Sequence, residues 1–208
     1  MSQLKIDHIA VIAASLDEGA AYIQEKLGVD VPMGGEHLAM GTHNRLMTLG
    51  NDAYFEIIAV APNLEAPDRP RWFGLDNPPA EPRIGTWIAR TDDLYTLASE
   101  STVQVGAITP MSRGDLEWEI TIRNDGSLPL SGLFPTLIEW PEGEPPVNAI
   151  SDLGCQLKRL RLHTPNPNET RTHLQSIGAD NLVQIIPSDG EPHLSAQIKT
   201  PKGLVTLT

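Results

Sequence analysis

Two apolar strand sequences each carry a side chain that can ionise. His8 lies in the middle of the run KIDHIAVI, and Glu56 lies in the run YFEIIAV. A third ionisable residue, Glu139, lies in the similar run TLIEW further along the chain. A charge inside an apolar strand destabilises the fold unless it is paired, neutralised or bound to a metal. These three residues are therefore the first candidates for chemistry.

A histidine nitrogen and a carboxylate oxygen together are good ligands for Zn, Ni, Mn, Fe or Co. If His8 and Glu56 face one cavity from neighbouring strands, they could hold such an ion and leave positions open for substrate oxygens. Glu56 could then also move a proton as the catalytic residue. The alternative is a buried hydrogen-bonded pair without a metal, because the two residues lack a short ligand spacing such as H-E-x-x-H.

The segment GGEHLAMGTHNRLMTLG contains more polar groups than a core strand requires. His37 precedes the strand, and Thr42 and Asn44 share one of its faces if residues alternate. Asn44 could orient a carbonyl or a carboxylate, and Arg45 on the other face could bind an anion. We predict that His37, Thr42, Asn44 and Arg45 contact substrate, although Arg45 could instead be a solvated strand residue.

Composition and motifs exclude several functional classes. The 208 residues have a formal net charge of -12, which argues against nucleic-acid binding because phosphate contacts need a basic surface. No G-x-S-x-G elbow, P-loop or G-x-G-x-x-G motif follows a strand. The single cysteine, Cys155, has no neighbour that marks it as a nucleophile. Because the sequence shows no membrane-spanning apolar run and no evident signal peptide, we expect a cytoplasmic protein without a membrane partner.

The order strand, helix and three further strands occurs three times in the sequence. The first helix begins at Ser15, which has the capping-box spacing to Glu18, and ends at Gly28. The order returns from RIGTWIART to LFPTLIEWP, with a helix capped by Asp92 or Asp93, and again from QLKRLRLHTP onward. A unit that recurs at about 60 to 80 residues indicates duplicated modules.

These units predict an α+β fold with proline-rich breaks between modules. We expect a first βαβββ module at 1–62, a proline-rich linker at 63–82, a second βαβββ module at 83–142 and a third, degenerate βαβββ-like unit at 152–208. A linker of this length often lines or covers a site. Its Trp72 and Phe73 could serve as a lid, or they could simply anchor the linker to the core.

Three features together resemble the glyoxalase-like branch of the vicinal oxygen chelate superfamily. They are the Asp-His start of the first strand, the G-x-H and G-T-x-N patterns that follow its helix, and the strand with the pattern Tyr-x-Glu. The resemblance covers residues 4–142 well and the third unit loosely. It implies that the first two modules form one curled sheet around a cup, and that metal-dependent members take ligands from the first and last strands of each module.

Carried over to this chain, the resemblance implies that His8 and Glu56 are the metal ligands of the first module. It places Glu139 as the last-strand ligand of the second module. The remaining ligand should lie on RIGTWIART, but this run has no His, Glu or Gln. Trp87 or Thr86 occupies that region instead, and we expect Trp87 to contact substrate.

Two functions therefore remain open. In the first, a divalent metal chelates adjacent oxygens of a small substrate and supports an isomerase, lyase or ring-cleaving dioxygenase reaction. In the second, the cup binds or sequesters an oxygen-rich molecule without metal or chemistry, with Trp72, Trp87, Trp118 and Trp140 as flat walls. Both functions require a small-molecule ligand, and a homodimer is also left open.

Overall fold

A computed structural model describes residues 4–50, 52–141 and 146–208. These ranges contain twelve strands and three α-helices, which confirms the α+β fold class. The first unit consists of β1 (Lys5–Ile12), α1 (Leu16–Leu27), β2 (Met33–His37), β3 (Thr42–Thr48) and β4 (Tyr54–Val60). The second consists of β5 (Arg83–Arg90), α2 (Leu94–Glu100), β6 (Ala107–Arg113), β7 (Leu116–Ile122) and β8 (Thr136–Glu139).

The first two helices begin at the residues that their sequences indicate, and α1 also ends at the predicted glycine. The Ser15 hydroxyl accepts a hydrogen bond from the Glu18 backbone N–H at 3.2 Å. Gly28 closes α1 with a φ of 73°, a conformation that glycine adopts without steric cost. At α2 the cap is Asp93, whose carboxylate accepts from the Thr96 backbone N–H at 3.3 Å. Among the described residues, no helix is both long and apolar enough to cross a membrane.

The strands of the first two units form one sheet with the order β2-β3-β4-β1-β5-β8-β7-β6. In each unit the first strand pairs in parallel with the fourth. The two units join where β1 and β5 pair antiparallel. Since the edge strands β2 and β6 contact each other, the sheet curls until it is nearly closed, as the predicted cup requires.

The third unit has the predicted order of elements but a different strand pairing. It consists of β9 (Gln156–Thr164), α3 (Pro167–Gln175), β10 (Gln184–Pro187), β11 (His193–Thr200) and β12 (Gly203–Leu207). Its sheet has the order β10-β9-β11-β12, so its first strand pairs in parallel with its second strand and not with its fourth. This separate sheet packs against the curled one, and β11 contacts β5.

The curled sheet is apolar on both faces. On its outer face, Trp87 joins a core cluster with Leu133 and with Leu162 and Leu194 of the third unit. On its inner face, Ile88 belongs to a second cluster. Neighbouring residues of a strand point to opposite faces, so Trp87 and Ile88 face different cores. The indole N–H of Trp87 donates to the Leu133 carbonyl at 3.1 Å.

The proline-rich segment between β4 and β5 folds over the inner face. It contains a 3-10 helix at Trp72–Gly74, and Trp72 and Phe73 are only 3% and 6% exposed. The Arg71 backbone N–H and guanidinium donate to the Asp76 carboxylate at 2.8 and 2.6 Å, which closes the segment into a compact loop. Further 3-10 helices are Leu38–Met40, Pro129–Gly132 and Pro146–Ala149.

Two connections expected from the sequence fall partly outside the described residues. The tight link at 50–52 includes Asn51, and the break that follows Trp140 includes residues 142–145.

The position of Trp87 leads to a stability prediction. We expect Trp87→Phe to lower the free energy of unfolding by about 1–3 kcal/mol, because it leaves a void and an unpaired Leu133 carbonyl. Denaturant titration followed by circular dichroism measures this change. The control is Tyr95→Phe at a residue that is 61% exposed, where we expect a change within about 0.5 kcal/mol. Equal effects of the two substitutions would contradict a core role for Trp87.

Candidate functional site

The curled sheet and the segment above it enclose a small cavity. Its lining residues are His8, His37, Tyr54, Glu56, Trp72, Phe73, Arg113, Trp118, Ile120, Ile138 and Trp140. Its volume is about 20 Å³. That is room for about one water. A groove of about 760 Å³ beside α2 is larger but open to solvent, and none of the predicted site residues lines it.

His8 lies between two carboxylates inside this cavity. Its Nδ1 is 2.6 Å from Asp7 Oδ1, and its Nε2 is 3.5 Å from Glu56 Oε2. Asp7 reaches the ring of its own neighbour because the pairing of β1 with β5 shifts register between Ile6 and His8, as at a β-bulge. Asp7 Oδ2 also accepts a hydrogen bond from the Trp140 indole N–H at 3.0 Å.

The two carboxylates keep His8 protonated. Burial lowers the pKa of His8, but hydrogen bonds and charge interactions with Asp7 and Glu56 outweigh burial and raise it to about 9. Burial raises the pKa of Glu56, but the His8 imidazolium and the hydrogen bond from Asn44 bring it down to about 2. At neutral pH the site therefore holds an imidazolium and a carboxylate side by side.

Asn44 fixes the second oxygen of Glu56. Its Nδ2 donates to Glu56 Oε1 at 2.6 Å, and its Oδ1 accepts from the Gly35 backbone N–H at 2.9 Å. The Gly35 contact sets the orientation of the amide. The same Nδ2 lies 3.4 Å from His37 Nε2, which makes that nitrogen an acceptor and leaves the His37 Nδ1–H to donate to Thr42 Oγ1, 3.1 Å away.

His37 is the neutral histidine of the site. Burial lowers its pKa to about 4, and the Arg113 guanidinium acts in the same direction, although Glu56 partly offsets both. The two histidines thus have opposite charge states within one cavity. His8 has two carboxylate neighbours, whereas His37 contacts an amide, a hydroxyl and the rings of Trp72 and Trp118.

The glycine pair at the start of the GGEH motif allows close packing at this site. A Cβ on Gly34 would overlap Asn44 Oδ1 and would lie 2.9 Å from Leu46 Cγ. A Cβ on Gly35 would lie 2.8 Å from Arg113 Cδ. Real Cβ contacts are longer than this, so larger residues at these two positions would displace Asn44 and Arg113.

Aromatic rings form most of the remaining cavity wall. Tyr54 stacks on the His8 ring with a centroid distance of 4.3 Å, and Trp118 and Trp140 pack against each other at 5.4 Å. Burial, with Asp7 and Glu56 nearby, raises the pKa of Tyr54 well above its usual value, so its hydroxyl stays protonated. Trp72 and Phe73 stack at 5.3 Å and cover the cavity from the 61–82 segment.

The structure brings five of the predicted site residues together: His8, His37, Thr42, Asn44 and Glu56. Three others lie elsewhere. Glu139 Oε2 accepts from the Leu94 backbone N–H at 2.8 Å, so this carboxylate caps α2 and does not reach the cavity. Arg45 donates to the Val31 carbonyl at 2.9 Å and approaches Asp17 of α1. Trp87 lies in the outer core.

These three residues lie outside the cavity for one shared reason. Residues alternate between the faces of a strand, and Glu139, Arg45 and Trp87 each occupy the outer face of the curled sheet. Ile138 and Asn44, which directly neighbour two of them, are the inner residues. Alternation predicts which residues share a face, but it does not say which face of a doubly covered strand encloses the cavity.

Two functional side chains escaped sequence reasoning. Alternation along β1 predicts that Asp7 lies on the face opposite His8, but a register shift between Ile6 and His8 interrupts the strand there, and Asp7 contacts the imidazole. Arg113 lies at the end of β6, and the sequence signal that could have found it is its two-residue spacing from the buried Met111. That signal is weak, since charged residues commonly end strands.

The donor set fits a metal only in part. Two ligands of a tetrahedral Zn site lie about 3.4 Å apart, close to the 3.5 Å between His8 Nε2 and Glu56 Oε2, and Asp7 orients His8 as outer-shell carboxylates do. However, the described residues contain no group of three or more His, Cys, Asp or Glu able to hold an ion. The second unit presents Ile120 and Ile138 to the cavity. The residues present therefore do not form a complete metal site.

Comparison with known proteins agrees with the fold. Residues 6–178 match the family model described as a glyoxalase-like domain. The chain belongs to the glyoxalase-like domain family. No curated protein matches the chain.

Solved structures resemble this glyoxalase-like chain at low sequence identity. A hypothetical protein from Staphylococcus aureus has 15% identity and a TM-score of 0.61, with 98% of this chain and 84% of that chain covered. A mutant of 4-hydroxymandelate synthase from Streptomyces coelicolor has 13% identity and a TM-score of 0.50, covering 99% and 62%. The Mn(II)-bound glyoxalase from Novosphingobium aromaticivorans has 10% identity and a TM-score of 0.47, covering 99% and 82%. Identities this low concern the fold alone.

The opposite pKa shifts of the two histidines predict a stability maximum near pH 6.5. The raised pKa of His8, about 9, gives a stabilisation that is complete below pH 6.5 and is lost as the pH rises through 9. The lowered pKa values of His37, about 4, and Glu56, about 2, give stabilisations that are lost as the pH falls. Denaturant titrations from pH 4 to pH 9.5 measure the profile, and the alkaline decrease should reach up to about 3 kcal/mol.

Two variants test whether His8 causes the loss of stability at alkaline pH. In His8→Gln we expect no decrease above pH 6.5, whereas the control His193→Gln, outside the cavity, should retain it. An alkaline decrease that persists unchanged in His8→Gln would show that another group causes it.

Asn44 offers a test of the carboxylate pairing. The near-isosteric Asn44→Asp places a carboxylate oxygen where Nδ2 now donates to Glu56 at 2.6 Å. We expect a loss of at least about 2 kcal/mol in unfolding free energy at pH 7, because a buried charge-assisted hydrogen bond becomes a repulsion. Asn168→Asp on exposed α3 is the matched control, with an expected change within about 0.5 kcal/mol. A neutral result at position 44 would contradict the proposed network.

Proposed function

We propose that this glyoxalase-like chain binds a small oxygen-rich organic molecule in the cup, and that it does so without a resident metal. The observation that carries the proposal is the charged pair of His8 and Glu56, held inside an aromatic cavity whose second-unit strands present no further ligand. Such a cavity has the general form of a small-molecule site, with apolar walls and a few fixed polar groups.

His8 and Glu56 form the polar floor of the cup and can make further hydrogen bonds to ligand oxygens. The contact of 3.5 Å between His8 Nε2 and Glu56 Oε2 is longer than the about 2.7–2.9 Å of a charge-assisted hydrogen bond. A ligand carbonyl or hydroxyl can therefore accept from Nε2–H, and a ligand hydroxyl can donate to Oε2. The other atoms of the pair are held by Asp7 and Asn44, so the floor is oriented before the ligand arrives.

Ligand entry requires the cover to move. The closed cavity has room for about one water, and Trp72 and Phe73 fill the space above it. We assign these two residues the role of a lid. Phe73 has a φ of 58°, which is uncommon for a bulky residue, so the closed loop holds a strained backbone that opening can relieve.

The charge states favour binding over proton transfer at neutral pH. A general acid or base works best when its pKa is near the working pH. The pKa values of about 9 for His8 and about 2 for Glu56 keep both groups charged throughout the neutral range. The pair is thus suited to hold and orient oxygens.

A metal-dependent lyase, isomerase or dioxygenase is the second candidate. It is favoured by the ligand-like separation of His8 Nε2 and Glu56 Oε2 and by the outer-shell position of Asp7. It would require further ligands from the substrate or from solvent, since only two side-chain donors converge in the part of the chain that the structure describes.

The two candidates predict different metal contents and different ligand behaviour. The protein is purified without a His tag, and elemental analysis is performed before and after reloading with Zn, Ni, Mn or Fe(II). We expect less than stoichiometric metal in both cases. Thermal-shift screening of small hydroxy, oxo and carboxylic compounds should yield stabilising compounds that lose their effect in Glu56→Gln and keep it in the control Glu117→Gln, an exposed residue of β7.

Two outcomes would contradict metal-free binding. Stoichiometric metal that is lost in both His8→Ala and Glu56→Gln would favour the metal-dependent enzyme. Compounds that stabilise Glu56→Gln as well as the wild type would place the binding site outside the cup.

A further inference from the structure

Arg113 is a charged residue of the cavity wall that the His8 network does not use. It is the last residue of β6, at the place where the sheet nearly closes and β6 contacts β2. Its aliphatic stem lies over Gly35, whose missing side chain provides the space. Its guanidinium lies close enough to act on the pKa of His37 and Tyr54 in the lowering direction, although burial and the nearby carboxylates raise the pKa of Tyr54 overall.

The guanidinium of Arg113 has no protein partner among residues 4–50, 52–141 and 146–208. The other arginines near the site differ in this respect. Arg71 is paired with Asp76, and Arg90 donates to the Asp52 carbonyl and lies 3.8 Å from Asp7 Oδ2. A guanidinium presents five N–H donors in a planar fork that matches a carboxylate, and Arg113 lines the cavity.

The charged groups at the cavity differ in their partners. His8 lies between the carboxylates of Asp7 and Glu56, whereas Arg113 lines the cavity without an ion-pair partner among the described residues. Asp7 lies behind His8, is fully buried, and is shared among His8, Trp140 and Arg90. A guanidinium without a protein partner at the cavity of a chain with a formal net charge of -12 favours an anionic ligand.

We propose that the ligand of this cup is a small hydroxy- or oxo-carboxylate, with its carboxylate bound by Arg113 and a second oxygen at His8 and Glu56. The inference rests on the proposed function, since a cup that binds no organic molecule has no carboxylate to recognise. One guanidinium compensates one negative charge, so a monocarboxylate matches the wall better than a phosphate dianion, whose second charge would be buried without a partner. The flanking Trp118 and Trp140 accommodate a flat apolar body.

Isothermal titration calorimetry with pairs of an acid and its amide tests whether the site requires a negatively charged ligand. The probes are lactate and lactamide, phenyllactate and phenyllactamide, and salicylate and salicylamide, with inorganic phosphate as a dianion. Each amide keeps the shape and the second oxygen of its acid but lacks the charge. We expect at least one acid to bind about tenfold or more tighter than its amide, and phosphate to bind more weakly than that acid.

Variants test whether Arg113 causes the preference for an acid over its amide. In Arg113→Gln the acid and its amide should bind with similar affinity, and Arg113→Lys should retain part of the preference because it keeps the charge but loses the fork. The control is Arg123→Gln, at a residue that pairs with Asp125 outside the cavity, where the preference should be unchanged. Circular dichroism and unfolding curves verify that each variant is folded.

The outcomes separate this inference from the proposed function. An acid preference that persists in folded Arg113→Gln overturns the role of Arg113, and amides or phosphate that bind as tightly as the acids overturn the carboxylate assignment. Both of these leave small-molecule binding in the cup intact. If neither acids nor amides bind and the thermal-shift screen also yields no compound, the proposed function fails together with this inference.

Discussion

A protonated histidine held between two buried carboxylates is the interaction on which the site depends. His8 could not be charged in an apolar interior without Asp7 and Glu56, and Glu56 could not stay ionised there without partners. The requirement spreads outward through hydrogen bonds. Asn44 satisfies the second oxygen of Glu56, and Trp140 satisfies the second oxygen of Asp7. The strands that carry these residues must therefore keep their register, because a one-residue slip would reverse every side chain.

The two units contribute different kinds of side chain to the cup. The first unit provides the polar groups on β1, β3 and β4, and the second provides Trp118, Ile120, Ile138 and Trp140 with Arg113 at the rim. Duplicated units with the same strand pairing thus build one asymmetric cavity. A symmetric arrangement of ligands would suit a metal bound at the centre, whereas this arrangement suits a molecule with a polar end and an apolar body.

The third unit and the proline-rich segment cover the two faces of the curled sheet. The third unit buries the outer face around Trp87, so the shared strands β1 and β5 are covered on both sides and can be apolar throughout. The segment that carries Trp72 and Phe73 closes the inner side. The ionic network then lies in a space that excludes bulk water, where hydrogen bonds to charged groups are strongest and missing partners cost the most.

Local sequence signals determined much of this protein. The caps at Ser15 and Gly28, the order of strands and helices, and the isolated His8 and Glu56 could all be interpreted from neighbouring residues, because helix ends, strand periodicity and buried charge act over short distances. The motif features around Gly35, His37 and Asn44 were enough to indicate the family's fold. Those same residues proved to be in contact.

The tertiary structure decided what depends on long-range pairing. It placed Glu139, Arg45 and Trp87 on the outer face, because alternation along a strand leaves open which side of a doubly covered sheet curls inward. It brought Asp7 to His8 through a bulge that only the partner strand β5 defines. The curl of the sheet brought β6 toward β2 and so placed Arg113 over Gly35, although these residues are far apart in the chain. The tertiary structure also paired the strands of the third unit in an order that their sequence does not specify. Neighbouring residues thus determine the local elements and the candidate residues, whereas the closure of the sheet determines which side chains point inward and which lie close together.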